Sequence, residues 1–67
     1  MEQVTVSSEG ITIRLSKSEL GLVNNALNEV ANGVEIADSE FQTRLGESRS
    51  DVRQLLVEVG DAYRALG

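Results

Sequence analysis

The ten residues Ile11-Thr12-Ile13-Arg14-Leu15-Ser16-Lys17-Ser18-Glu19-Leu20 change period part-way through, and that change decides the fold. Up to Leu15 apolar and polar residues alternate, so Ile11, Ile13 and Leu15 share one face of an extended strand. From Ser16 onward the period lengthens. Leu20, Val23, Leu27 and Val30 recur at helical spacing, with Ala26 and Ala31 beside them. Ser16-Lys17-Ser18-Glu19 fits a capping box, in which Ser16 accepts from the Glu19 amide and the Glu19 carboxylate returns to the Ser16 amide. The spacing predicts a helix over about 17–31, stopped by Asn32-Gly33, where Gly33 can take the left-handed cap conformation.

Toward the N-terminus, Gln3-Val4-Thr5-Val6-Ser7 alternates in the same way, with Val4 and Val6 on one face. Ser8-Glu9-Gly10 separates it from Ile11, and Gly10 can supply the positive φ of a tight turn. The two runs read as a β-hairpin. An isolated hairpin is marginal in water, so its apolar face is expected to pack on the helices.

Toward the C-terminus, Val34 to Ala37 reads as a short extended connection, or alternatively as a third strand. Asp38 or Ser39 can cap a short helix over about 39–45 that bears Phe41 and Leu45, and Gly46 ends it. Ser48 caps a third helix over about 49–65. Asp51 in its first turn and Arg64 near its end complement the helix dipole. Its inward set is Val52, Leu55, Leu56, Val59, Ala62, Tyr63 and Leu66. The expected architecture is a single α+β domain over 1–67, of order ββααα. An N-terminal hairpin packs on two longer helices and one short helix, with Phe41 as the largest plug of the core.

The chain has 67 residues, no cysteine, no histidine and a net charge of −5. Without cysteine there is no disulfide and no thiolate site. Without histidine the usual neutral-pH base and the commonest metal ligand are missing. No phosphate-binding glycine loop and no EF-hand spacing occurs. These features point away from an enzyme, a metal site and a cofactor. No apolar run reaches the roughly 20 residues needed to span a bilayer, and the polar N-terminus is unlike a signal peptide. A cytoplasmic protein is expected. The negative field repels phosphates and anionic membranes and attracts basic surfaces.

Two clusters stand out as a contact surface. Asn24, Asn25 and Asn28, with Asn32, gather on the polar side of the first helix, one turn beyond Gly21. Asparagine and glycine are poor helix formers, so together they cost this helix roughly 2–4 kcal/mol relative to alanine. Their carboxamides offer donors and acceptors to a polar partner surface. Glu35, Asp38 and Glu40, with Glu47, crowd the loops around the short helix and suit lysines and arginines on a partner. Each also has a structural explanation, since Asp38 and Glu40 sit at the positive end of the short helix and Glu40 can pair with Arg44. Tyr63 and Arg64 belong to residue types enriched at binding hot spots.

The stretch from Glu40 to Leu56 resembles a helix-turn-helix. A short helix ends at Gly46, a polar helix starts at Ser48, and Val52 lies six residues after the glycine. That resemblance implies that Ser48, Arg49, Ser50, Arg53 and Gln54 face the major groove. The chain departs from the pattern at Gln42, and Glu47 and Asp51 would face phosphates, so nucleic acid is the less favoured partner.

A second resemblance is spread wider. Ser18-Glu19-Leu20, Asn24 to Val30, Gly33, and Glu40-Phe41 with Thr43-Arg44-Leu45-Gly46 look like a recurring pattern of small bacterial proteins. In size and acidity the chain is similar to immunity proteins that neutralise toxins of contact-dependent and polymorphic systems. The resemblance implies a basic protein partner, such as a toxin nuclease domain, met by Asn24, Asn25, Asn28, Glu35, Asp38 and Glu40. A DNA-binding regulator and a structural subunit of a larger assembly are the alternatives. The oligomeric state is left open by the sequence.

Overall fold

A computed structural model describes residues 1–33 and 35–67. The order is ββααα: β1 (Glu2–Ser7), β2 (Gly10–Arg14), α1 (Lys17–Gly33), α2 (Asp38–Leu45) and α3 (Arg49–Ala65). The strands pair antiparallel, with Val6 opposite Ile11 and Thr5 opposite Thr12. The register slips between Gln3 and Thr5, so Val4 is the extra residue of a β-bulge. Ser8 and Glu9 form the turn with negative φ, and Gly10 carries the positive φ of +153°.

Each helix starts and stops for a local chemical reason. At α1 the Ser16 hydroxyl accepts from the Glu19 amide at 3.1 Å, and the Glu19 carboxylate accepts from the Ser16 amide at 2.9 Å. That is the capping box read from the sequence. The α1 helix then runs through Gly33, which takes no positive φ. The expected left-handed stop there does not occur. At α3 the Ser48 hydroxyl accepts from the Asp51 amide at 3.1 Å. Gly46 closes α2 in the left-handed conformation at φ +81°, its amide donating to the Gln42 carbonyl at 2.8 Å. The N-cap of α2 is Ala37, with no side-chain cap. The expected caps, Asp38 and Ser39, both lie inside the helix.

Val34 lies outside the described residues. Glu35, Ile36 and Ala37 form no strand, so this stretch adds nothing to the two-stranded sheet among the described residues.

The helices α1 and α3 pack antiparallel. Lys17 Nζ donates to the Gly67 carbonyl at 2.6 Å, Gly21 meets Tyr63, and Gly60 meets Asn24. Half-buried Leu20, Leu27 and Val30 of α1 and Val52, Leu56 and Val59 of α3 supply the apolar contact, while Ala31 and Phe41 are fully buried. The Arg49 guanidinium lies 4.4 Å from the Phe41 ring centroid, a cation–π contact.

The hairpin does not join this core. Val6 remains 63% exposed and Ile11 57% exposed, and among the described residues neither strand packs against a helix. The expected packing of the hairpin on the helices is therefore corrected. The reason lies at the base of the hairpin. Only Leu15 and Ser16 join β2 to α1, and the Met1 amino group is held by the Glu19 carboxylate. Both ends of the hairpin are thus fixed at the first turn of α1, and its turn projects away. With no second layer above them, Leu55, Ala62 and Leu66 of the expected inward set also stay exposed.

Candidate functional site

The asparagine cluster sits where α1 and α3 meet. Asn28 lies seven positions, about two helical turns, after Gly21, so Gly21, Asn24, Asn25 and Asn28 fall along one flank of α1. A Cβ at Gly60 would lie 3.5 Å from Asn24 Oδ1, and a Cβ at Gly21 would lie 3.1 Å from the Tyr63 ring. The missing side chain at Gly21 permits the close approach of Tyr63, whereas at Gly60 a methyl group would make ordinary contact.

The result is an open groove of about 330 Å³, with Asn24, Asn25 and Asn28 on one wall and Leu56, Val57, Gly60 and Arg64 on the other. A second depression of about 490 Å³, over Gly21, Leu22 and Tyr63, continues it and shares Asn25. Asn24 is half-buried, whereas Asn25 and Asn28 are exposed. Asn28 Oδ1 accepts from Asn32 Nδ2 at 2.9 Å, which orients the Asn28 carboxamide with its Nδ2 directed elsewhere. Arg64 pairs with Asp61 on its own helix and is exposed. The groove therefore presents amide donors and acceptors on one wall, and one guanidinium and apolar side chains on the other.

The second cluster lies apart from it. Glu35, Asp38 and Glu40 are all exposed at the start of α2. Glu40 is drawn to Arg44 Nη2 at 2.6 Å, one turn along the same helix, and Asp38 to Arg49 Nε at 3.4 Å. Among the described residues no hydrogen bond or ion pair links these acids to the asparagines.

The residues of the helix-turn-helix reading divide. Ser50, Arg53 and Gln54 are exposed. The Ser48 hydroxyl caps α3. Arg49 is turned inward, with its side chain only 17% exposed, over the Phe41 ring and donating to the Ile36 carbonyl at 2.9 Å. A guanidinium held this way by the protein's own backbone is not presented to a phosphate or a base.

No protein-family model matches the chain, and no curated protein or solved structure matches it. Among the described residues no group of three or more acidic side chains lies close enough to hold a metal ion. No described helix is long and apolar enough to cross a membrane.

One carboxyl is strongly perturbed. The Glu19 pKa is pulled from 4.5 to about 2, first by the Met1 amino group and then by the Ser16 amide. These partners are the anchor of the hairpin and the cap of α1, so the shift reports a structural joint.

On the α3 side of the groove the sequence singles out only Arg64, by its residue type, and leaves Val57 and Gly60 unread. Gly60 carries a signal of its own. A glycine in mid-helix costs about 1 kcal/mol relative to alanine, and such a cost suggests a close neighbour. Its partner was legible only once the antiparallel register placed Gly60 against Asn24.

Proposed function

We propose that this chain is a non-catalytic binding protein that neutralises a basic protein partner, in the manner of the small acidic immunity proteins it resembles. The observation that carries the reading is the meeting of Asn24, Asn25 and Asn28 in one open groove on α1 and α3. Carboxamides there can bond the backbone or side chains of a docked segment, and Leu56 and Val57 give it apolar contact on the opposite wall. The net charge of −5 supplies attraction at longer range, and Glu35, Asp38 and Glu40 strengthen it near α2. A toxin nuclease domain is the partner class with the matching basic surface, and the complex would form in the cytoplasm. The DNA-binding alternative is less supported, because Arg49 is engaged inside the protein and Glu47 and Asp51 flank the remaining residues.

The test co-expresses the chain with the products of its neighbouring genes and assays any basic product among them as a nuclease with and without the chain. One-to-one inhibition is expected, weakened as salt screens the charges. The double variant Asn25→Ala/Asn28→Ala should bind at least about tenfold more weakly. Undiminished nuclease activity at saturating chain, or no complex with that product, sinks the reading.

A further inference from the structure

Several features place apolar surface in the wrong position for a solitary domain. A compact chain of 7.2 kDa exposes about 4,100 Å², whereas this one exposes 5109 Å². Its radius of gyration is 13.4 Å, against about 11 Å for a compact domain of this length. The molecule measures 36 × 31 × 15 Å, so it is scarcely more than one layer thick.

Two of the exposed apolar faces are continuous stripes. On the hairpin, the register puts Val6, Ile11 and Ile13 on one face, and all three are exposed. On the helices, Leu55 and Ala62 of α3 and Leu66, its C-cap, recur at steps of seven and four, with Leu55 47% and Leu66 53% exposed. Helical spacing places that stripe on the flank of α3 turned away from Val57 and Arg64. It therefore lies on the side of the helix pair opposite the asparagine groove. The antiparallel register brings Val23 of α1 to the same side. One chain thus holds both halves of a strand-on-helix interface, and the anchored base of the hairpin keeps them apart.

We propose that two copies of the chain dimerise reciprocally, the hairpin of each lying across the Leu55–Leu66 stripe of the other. The surplus of about 1,000 Å² per chain matches the roughly 800 Å² per partner that a stable specific interface buries. A two-fold axis makes both contacts at once, with no unmatched face left to propagate a fibre. The asparagine groove stays open on the far side, so dimerisation neither requires nor competes with the proposed partner.

Sedimentation of the full chain tests this. The expected mass is twice 7.2 kDa at about 100 µM. Ile11→Lys and Leu55→Lys should each raise the dissociation constant at least roughly tenfold, whereas Leu22→Lys, outside both faces, should leave it unchanged. Helix content by circular dichroism confirms that each variant is folded. The chain has no cysteine, so single thiols report the geometry without removing any native bond. Mixing Val6→Cys chains with Leu55→Cys chains should give the mixed disulfide as the main product. A monomer at all concentrations overturns the proposal. So does equal weakening by Leu22→Lys, or a predominance of Val6→Cys homodimers, which would indicate edge-to-edge hairpin pairing instead.

Discussion

The two glycines of the helix seam make opposite predictions, and the difference comes from a few tenths of an ångström. In a helix interior, alanine is favoured over glycine by about 1 kcal/mol. At Gly60 an added Cβ meets Arg64 Nη1 and Asn24 Oδ1, both at 3.5 Å, which is ordinary van der Waals contact. Nothing offsets the backbone gain, so Gly60→Ala should stabilise by about 1 kcal/mol. In a domain of this size that raises Tm by about 4–8 °C. At Gly21 the Cβ meets Tyr63 Cε2 at 3.1 Å, tighter than most methyl contacts in proteins. The ring must retreat, and overpacking of this kind costs about 1–3 kcal/mol, less where a half-exposed ring can swing outward. Gly21→Ala should therefore show no gain. The assay is urea unfolding by circular dichroism at one fixed protein concentration, because association would make the midpoint concentration-dependent. Destabilisation by Gly60→Ala, or identical shifts for the two variants, would refute the seam geometry. Gly60 also lines the groove, so the same methyl that stabilises the fold should weaken partner binding.

Three further outcomes rest on single side chains. The Glu19 pKa is lowered from 4.5 to about 2 in the folded chain, so its stabilising contribution is complete above pH 4.5 and disappears as the pH falls toward 2. In Glu19→Gln, urea midpoints measured across that window should lose this part of their pH dependence. Arg49→Ala removes both a cation–π contact and a charged hydrogen bond to the Ile36 carbonyl, and should cost about 2–3 kcal/mol by denaturant titration. The Asp38 carboxylate, 91% exposed, adds little to that loss. Asn25→Ala should stabilise α1 by about 0.5 kcal/mol while reducing affinity for the partner, so stability and binding measured on one sample move in opposite directions.

Local chemistry was readable from the sequence and layer assembly was not. Ser16 with Glu19 and Ser48 with Asp51 are contacts three residues apart, and residue type alone specifies them. The order of elements came from where the period changed. Sequence alone misplaces the N-terminus of α2, because Asp38 is a strong cap in isolation. In the folded chain it sits inside the helix, where its carboxylate reaches Arg49, eleven positions along. Arg49 itself reads as a surface cation at a helix start. Only the positions of Phe41 and Ile36 show that it is enclosed. The hairpin illustrates the same limit on a larger scale. Alternation shows that Val6 and Ile11 share a face, but not which surface covers that face, or whether that surface belongs to the same chain.

The choice between a protein partner and DNA turns on where the positive charge is left. Of the six basic side chains, Arg14, Arg44, Arg49 and Arg64 each pair with a carboxylate of this same chain, and Lys17 donates to the Gly67 carbonyl. Arg53 stands on α3 between Asp51 and Glu58 in sequence, with Glu47 just before the helix. Neutralising even a few phosphates takes several clustered cations, and each carboxylate nearby subtracts from them. The same arrangement favours a basic protein. Pairing within the chain engages most of the cations and leaves an excess of acids, so the field reaching an approaching surface is negative. In the proposed complex the exposed asparagines would act at short range, where direction matters more than charge.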